Sequence, residues 1–166
     1  ISLLKDNRAT WQFRISEKHF SEIRNCQVAL LSFNRDILRT EHKREILNEF
    51  KMKLGDEGKI KCLLHSVAKG NLKPMTEEGS NSLNVLDFDI TIQAMALSLY
   101  DWFKSLFDEQ LLANDSRIIS FTSEGNTKAW KHYAAVSAAK VTLEAITRNI
   151  ALEFAPLGIK ANCIQA

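Results

Sequence analysis

Tyr133 and Lys140 stand seven residues apart in the stretch Tyr133-Ala-Ala-Val-Ser-Ala-Ala-Lys140. Seven helical steps of about 100° come to roughly 700°, so two such side chains leave a helix on nearly the same bearing, two turns apart. A phenol beside an ammonium is the chemistry of a proton donor whose pKa is lowered by a neighbouring positive charge. Most of the residues between them are small: Ala134, Ala135, Ser137, Ala138 and Ala139. Such a face admits a flat ligand or a second helix, and both can hold together.

Other reactive side chains offer less. Cys26, Cys62 and Cys163 are odd in number and far apart, and two lie in apolar runs. They read as buried thiols in a reducing, cytoplasmic compartment, not as a disulfide or metal set. No Cys or His spacing resembles a zinc site, so no metal is expected. His65 reads as a satisfied buried histidine, and His132 as an exposed one. The glycines are Gly55, Gly58, Gly70, Gly79, Gly125 and Gly158, and no two form a Gly-rich phosphate loop. Either the protein binds no dinucleotide or such a loop lies outside these residues.

The elements that would carry Tyr133 and Lys140 follow from hydropathy. Residues 27–33, 59–65, 117–122 and 159–164 are short apolar runs that predict strands. Residues 41–54 have helical spacing, ended by Gly55 and Gly58. Asp89 to Leu112 predicts a long apolar helix with Ile92, Met95, Leu99, Phe103 and Phe107 on its wide face; that stripe reads as core and subunit contact, not as a ligand pocket. Tyr133 to Phe154 predicts a second long helix, stopped by Pro156 and Gly158. Residues 69–82 read as a surface loop near a site, or a disordered one. Trp11, Phe13, Phe20 and Ile23 are compatible with a helix. Strand and helix alternate, which predicts an α/β fold: a doubly wound parallel sheet with helices on both faces, in one domain over residues 1–166.

The 166 residues carry 45% hydrophobic and 25% charged side chains, ordinary for a globular protein with a real core. A net charge of +2 implies no strong attraction to nucleic acid or to a membrane surface. No apolar run approaches the roughly 18 residues needed to span a bilayer, and the first residues do not read as a signal peptide.

These residues resemble the short-chain dehydrogenase/reductase superfamily, and within it the enoyl-acyl-carrier-protein reductase branch. The usual superfamily member places its lysine four residues after the tyrosine. Here that position is Val136, and the tyrosine lies seven residues back, the Tyr-x6-Lys spacing of the enoyl reductases. The run Leu143-Glu-Ala…Arg148…Pro156-Leu-Gly158-Ile-Lys-Ala-Asn162 is similar to that family without a gap. Leu63-Leu-His65-Ser66-Val67-Ala68 resembles the family's His-Ser-Ile/Val-Gly/Ala strand end beside the cofactor. Asp36-Ile37 resembles the Asp-Val pair that packs on the adenine ring. Many members carry a second active-site tyrosine ten residues before the first; that position is Ser123 here.

The resemblance implies a Rossmann-like fold, incomplete at both ends over these residues, with the Gly-rich loop and the substrate loop outside them. It implies NADH or NADPH as cofactor, with the choice left open. It implies a trans-2-enoyl thioester substrate, on acyl carrier protein or coenzyme A, in fatty acid biosynthesis. Tyr133 would hydrogen-bond the thioester oxygen, Lys140 would bind the nicotinamide ribose, and Ser123 or Thr122 would neighbour the substrate carbonyl. Asp36, Ile37, Ser66, Val67, Ala68, Thr122 and Lys140 would contact the cofactor. A homo-oligomer, dimer or tetramer, would pair through the two long helices. The alternatives are another reductase of the superfamily acting on a carbonyl or an enoyl-coenzyme A, and a non-catalytic member of the fold.

Overall fold

The computed structural model describes residues 2–5, 11–14, 38–76 and 81–165. Strands β1 (Ser2–Lys5) and β2 (Trp11–Arg14) form an antiparallel pair with Leu3 opposite Phe13. Trp11 and Phe13 are therefore strand residues and not helical. Their spacing of two is the strand period, which outweighs the looser helical match. Phe20, Ile23, Cys26, the strand expected at 27–33, and Asp36 and Ile37 lie outside the described residues.

Helix α1 (Thr40–Leu54) ends at Gly55, whose φ of 62° favours glycine. Strand β3 (Ile60–His65), strand β4 (Leu112–Thr122) and strand β5 (Lys160–Gln165) make a parallel sheet in the order β3-β4-β5. Between β3 and β4 the chain forms helix α2 (Val85–Ile92), a π-helical turn (Gln93–Leu97) and helix α3 (Ser98–Asp108). Helix α4 (Ala134–Phe154) connects β4 to β5. Its alanines favour helix, and a short 3-10 turn at Ala155–Leu157 ends in Gly158 at φ 79°.

The helical segment after β3 differs at both ends from that read in the sequence. The helix expected over 89–112 begins at Val85 and stops at Asp108. Its start is set by a capping box, in which Asn84 and Asp87 exchange side-chain and backbone bonds of 3.0 and 3.1 Å. Its end is set by Gln110 at φ 54°, which turns the chain so that Leu112 pairs with Ile60 in the sheet. Leu112 is thus a strand residue.

The core lies between one face of the sheet and the helices. Ala96, Leu99, Phe103, Ile118, Leu143, Ile150 and Ile159 form one buried cluster. Phe154 packs edge-on against Phe103 and Phe107, with ring centres 4.7 and 4.9 Å apart. A second cluster joins Ile46 and Leu47 of α1 to Trp102 and Leu106 of α3. Along β4, Ser116, Ile118, Ser120 and Thr122 are buried, while Arg117 on the opposite face is exposed. That opposite face also carries Leu64, Ile119, Phe121 and Ile164, and no helix among the described residues covers it. Helices on both faces were expected. The described part carries them on one face because β3, β4 and β5 step the same way, and right-handed crossovers then put both of their connections on one side.

Candidate functional site

Because the strands are parallel, their carboxyl ends gather at one edge of the sheet, where such sheets bind ligands. Ser66, Val67 and Ala68 follow β3 there; Ser66 and Val67 are half-buried and Ala68 is exposed. Thr122 ends β4, and Ser123 follows it. The topology thus brings the 66–68 and 122–123 segments to a common edge.

The segment after β3 is fastened down. Asn71 Nδ2 donates to Asp87 Oδ1 at 2.6 Å, and Lys73 Nζ reaches the same carboxylate at 2.9 Å. Lys73 foremost, with the Asn84 backbone N–H, holds the Asp87 carboxyl below its ordinary range. The first part of the expected 69–82 loop is therefore anchored on α2; residues 77–80 lie outside the description.

Tyr133 is the residue before α4, with φ −109° and ψ 3°, and its carbonyl accepts the first helical bond from Ser137. The helix was expected to include it. The chain enters Tyr133 through His132 at φ 65°, a left-handed conformation that histidine tolerates better than most residues. His132 is exposed. The Tyr133 ring meets the Trp130 indole edge-on, centres 5.3 Å apart, and lies against Gly125.

Lys140 is buried in α4, and its Nζ donates to the Phe121 carbonyl at 2.7 Å. One of three ammonium donors is used there, which leaves two for a ligand. Burial pulls this ammonium below its ordinary pKa, and Cys163 and Glu144 act in the opposite direction. One turn along α4, Glu144 Oε1 accepts from Thr122 Oγ1 and from Asn126 Nδ2, each at 2.5 Å. Lys140 and Glu144 together clamp the end of β4 onto α4.

Within that clamp, Ser123 Oγ is enclosed and has no hydrogen-bond partner among the described residues. His65 is buried as expected, but only half satisfied. Ser98 Oγ donates to the Ala94 carbonyl inside the π-helical turn, so its lone pair receives His65 Nε2–H at 2.7 Å. That network assigns the tautomer and leaves Nδ1 as a bare acceptor without a partner. Burial first, and the charge of Lys140 second, lower the His65 pKa to about 4.

An open cleft of about 350 Å³ lies beside this cluster, lined by Thr122, Glu144, Arg148, Asn162 and Cys163 among others. Tyr133 and Lys140 do not line it. Cys62 and Cys163 are half-buried and in no disulfide. Among the described residues no group of His, Cys, Asp and Glu could hold a metal ion, and no helix is long and apolar enough to cross a membrane. The sequence reading passed over Glu144, Asn126 and Gly125. Glu144 carried a signal, its place four residues beyond Lys140, where helical side chains are neighbours.

The sequence profile described as "Enoyl-(Acyl carrier protein) reductase" matches residues 11–166. The chain is 22% identical over 151 residues to 1-cyclohexenylcarbonyl-CoA reductase of Streptomyces collinus, covering 91% of this chain and 50% of that protein. It is 26% identical over 125 residues to the enoyl-(acyl-carrier-protein) reductase (NADPH) FabI of Staphylococcus aureus, covering 74% and 46%. The chain thus spans about half the length of these curated relatives. In three dimensions it is similar to the enoyl-(acyl-carrier-protein) reductase of Anaplasma phagocytophilum solved with NAD, with TM-score 0.64 and 23% identity over 79% of this chain and 48% of that one. It is also similar to FabI of Alistipes finegoldii, with TM-score 0.65 and 17% identity over 78% and 48%. At these identities the structural likeness establishes the Rossmann-like fold.

Proposed function

Because the chain belongs to the enoyl-(acyl carrier protein) reductase family, we propose that its protein reduces the carbon–carbon double bond of a trans-2-enoyl thioester. A nicotinamide cofactor, NADH or NADPH, supplies the hydride when bound. The observation that supports this reading is a tyrosine at the head of α4, packed on the turn that follows β4, with a buried lysine seven residues on that bonds the Phe121 carbonyl near the carboxyl end of that strand.

The residues fit such a cofactor. Lys140 keeps two donors beyond its bond to the Phe121 carbonyl, suited to ribose hydroxyls. Its charge is little screened because it is buried. Ser66, Val67, Ala68 and Thr122 flank the same edge and would line the cofactor, with Asp36 and Ile37 at its adenine end. The Thr122 hydroxyl is already committed to Glu144, so its contact would be made by backbone or methyl.

Tyr133 donates a hydrogen bond to the thioester oxygen as negative charge grows there. Such a donor acts mainly in the transition state, because the charge it meets exists mainly there. Ser123 offers its unpaired, enclosed hydroxyl as a second donor to the same region, in place of the family's second tyrosine. Lys140 holds the ribose and raises the local positive potential.

The acyl carrier, the chain length, a place in fatty acid biosynthesis and a cytoplasmic location belong to this reading as proposals. So does a homo-oligomer, dimer or tetramer. Exposed Leu86 and Ile90 on α2, Leu97 in the π-helical turn, Tyr100 on α3 and Val141 on α4 are the apolar surface that supports it. The test follows oxidation of NADH and NADPH at 340 nm with crotonyl thioesters of coenzyme A and carrier protein. Tyr133→Phe should lose about 10²–10³ in kcat with the fold retained. Near-normal turnover in that variant would remove Tyr133 from the mechanism.

A further inference from the structure

The Tyr133 ring leans on a residue with no side chain. Gly125 is buried, and a Cβ placed there would lie 2.8 Å from Tyr133 Cδ1 and nearer still to Cε1. No unstrained carbon contact is that short, so any side chain at 125 must displace the ring. Backbone conformation is not the reason for glycine here. Among the described residues the positive-φ glycines are Gly55 and Gly158, and Gly125 is not among them.

The turn that carries Gly125 is itself held. Thr122 Oγ1 and Asn126 Nδ2, on either side of it, both donate to Glu144 Oε1 at 2.5 Å. Asn126 N donates to the Ser123 carbonyl at 3.1 Å and closes the turn. Glu144 is fixed on α4, the helix that Tyr133 precedes. The chain of contacts runs from the Glu144 carboxylate through Thr122 and Asn126 to the Gly125 backbone, and from there to the phenol ring. Trp130 packs edge-on against the same ring.

We propose that Gly125, held in place by Glu144, is a positioning residue that sets where the Tyr133 hydroxyl sits. This rests on the reading of Tyr133 as the donor to the thioester oxygen. A donor displaced by about 1 Å costs on the order of 10²-fold in rate. Gly125→Ala therefore loses roughly that factor in kcat, while KM for the cofactor stays within about threefold because Lys140 is untouched. Acting through the phenol, it adds nothing to Tyr133→Phe: the double variant turns over no more slowly than Tyr133→Phe alone. Glu144→Ala loses turnover in the same way, and Glu144→Gln, which keeps an acceptor oxygen, restores it.

The experiment measures kcat and KM for these variants in the full-length protein. It adds the fluorine spectrum of protein labelled with 3-fluorotyrosine, in which the Tyr133 resonance is assigned by its loss in Tyr133→Phe. Gly125→Ala should shift that resonance and leave Tyr100, on α3, unmoved. Wild-type kcat in Gly125→Ala, a full additional loss in the double variant, or an unmoved Tyr133 resonance would each overturn the proposal. A wild type without enoyl-dependent oxidation would overturn the functional reading instead, and the resonance alone would then decide whether Gly125 places the ring.

Discussion

Protonating His65 should unfold this protein more readily, by an amount the structure sets. The imidazole is buried, donates through Nε2 to Ser98, and faces the Lys140 charge with its other nitrogen unpaired. Its pKa is about 4 in the fold, against an ordinary 6.5. Between those two values the unfolded chain binds the proton and the folded chain refuses it. Stability is therefore complete above pH 6.5 and drains away as the pH falls towards 4. The gap corresponds to about 3 kcal/mol in total, of which about 2 kcal/mol is lost between pH 7 and pH 5. In urea, with a slope of about 2 kcal/mol per molar, the midpoint moves down by roughly 1 M. Ordinary carboxylates of the unfolded chain begin to take up protons at the acid end of this range, so the measurement is a difference. Wild type and His65→Gln are unfolded side by side from pH 7 to pH 4.5. The Gln amide can still donate to Ser98 but cannot take a proton, so the two curves should converge as the pH falls. Parallel curves between pH 7 and pH 5 would refute the reasoning and mean that His65 is hydrated or can move aside.

Two other expectations concern the core and the surface. Phe103 is fully buried and edge-on to Phe154, so Phe103→Ala should cost about 3–5 kcal/mol, read by urea denaturation with the slope unchanged. The exposed apolar side chains of α2 and α3 should bury themselves in a second copy. Light scattering at micromolar concentration should give at least twice the chain mass for the intact protein, and Ile90→Arg should lower it; a wild-type monomer would contradict the assembly.

What could be read from the chain was governed by how local each signal was. The strand at Ile60–His65 announces itself by a continuous apolar run, and α4 by its alanines and its stop at Pro156 and Gly158. The Tyr133–Lys140 spacing is a local signal too. Leu112–Ser116 carried no strand pattern, because Leu112 is drawn into the sheet by pairing with Ile60, not by propensity, and the residues after it bridge an irregularity before Arg117 pairs with Cys62. The π-helical turn left no trace in composition. Its carbonyl at Ala94 is met by Ser98, and Ser98 by His65, a partner thirty-three residues away. The need for glycine at Gly125 was invisible for the same reason: it answers to the space taken by the Tyr133 ring, a tertiary fact.

The parallel sheet also dictates an order of events while the chain is being made. Ile60 finds its partner Leu112 only after 52 further residues have been joined, and Arg117 waits 43 for Lys160. At ribosomal rates of about 5–20 residues per second, β3 spends roughly 3–10 s without a neighbour on the β4 side. Its sequence, Ile-Lys-Cys-Leu-Leu-His, is one that other chains could join edge to edge during that interval. Lys61 is the charge within the run that opposes such joining, and in the finished fold it reaches Asp115 of β4 at 2.6 Å. The same lysine thus guards the nascent strand and later marks the neighbour it was waiting for.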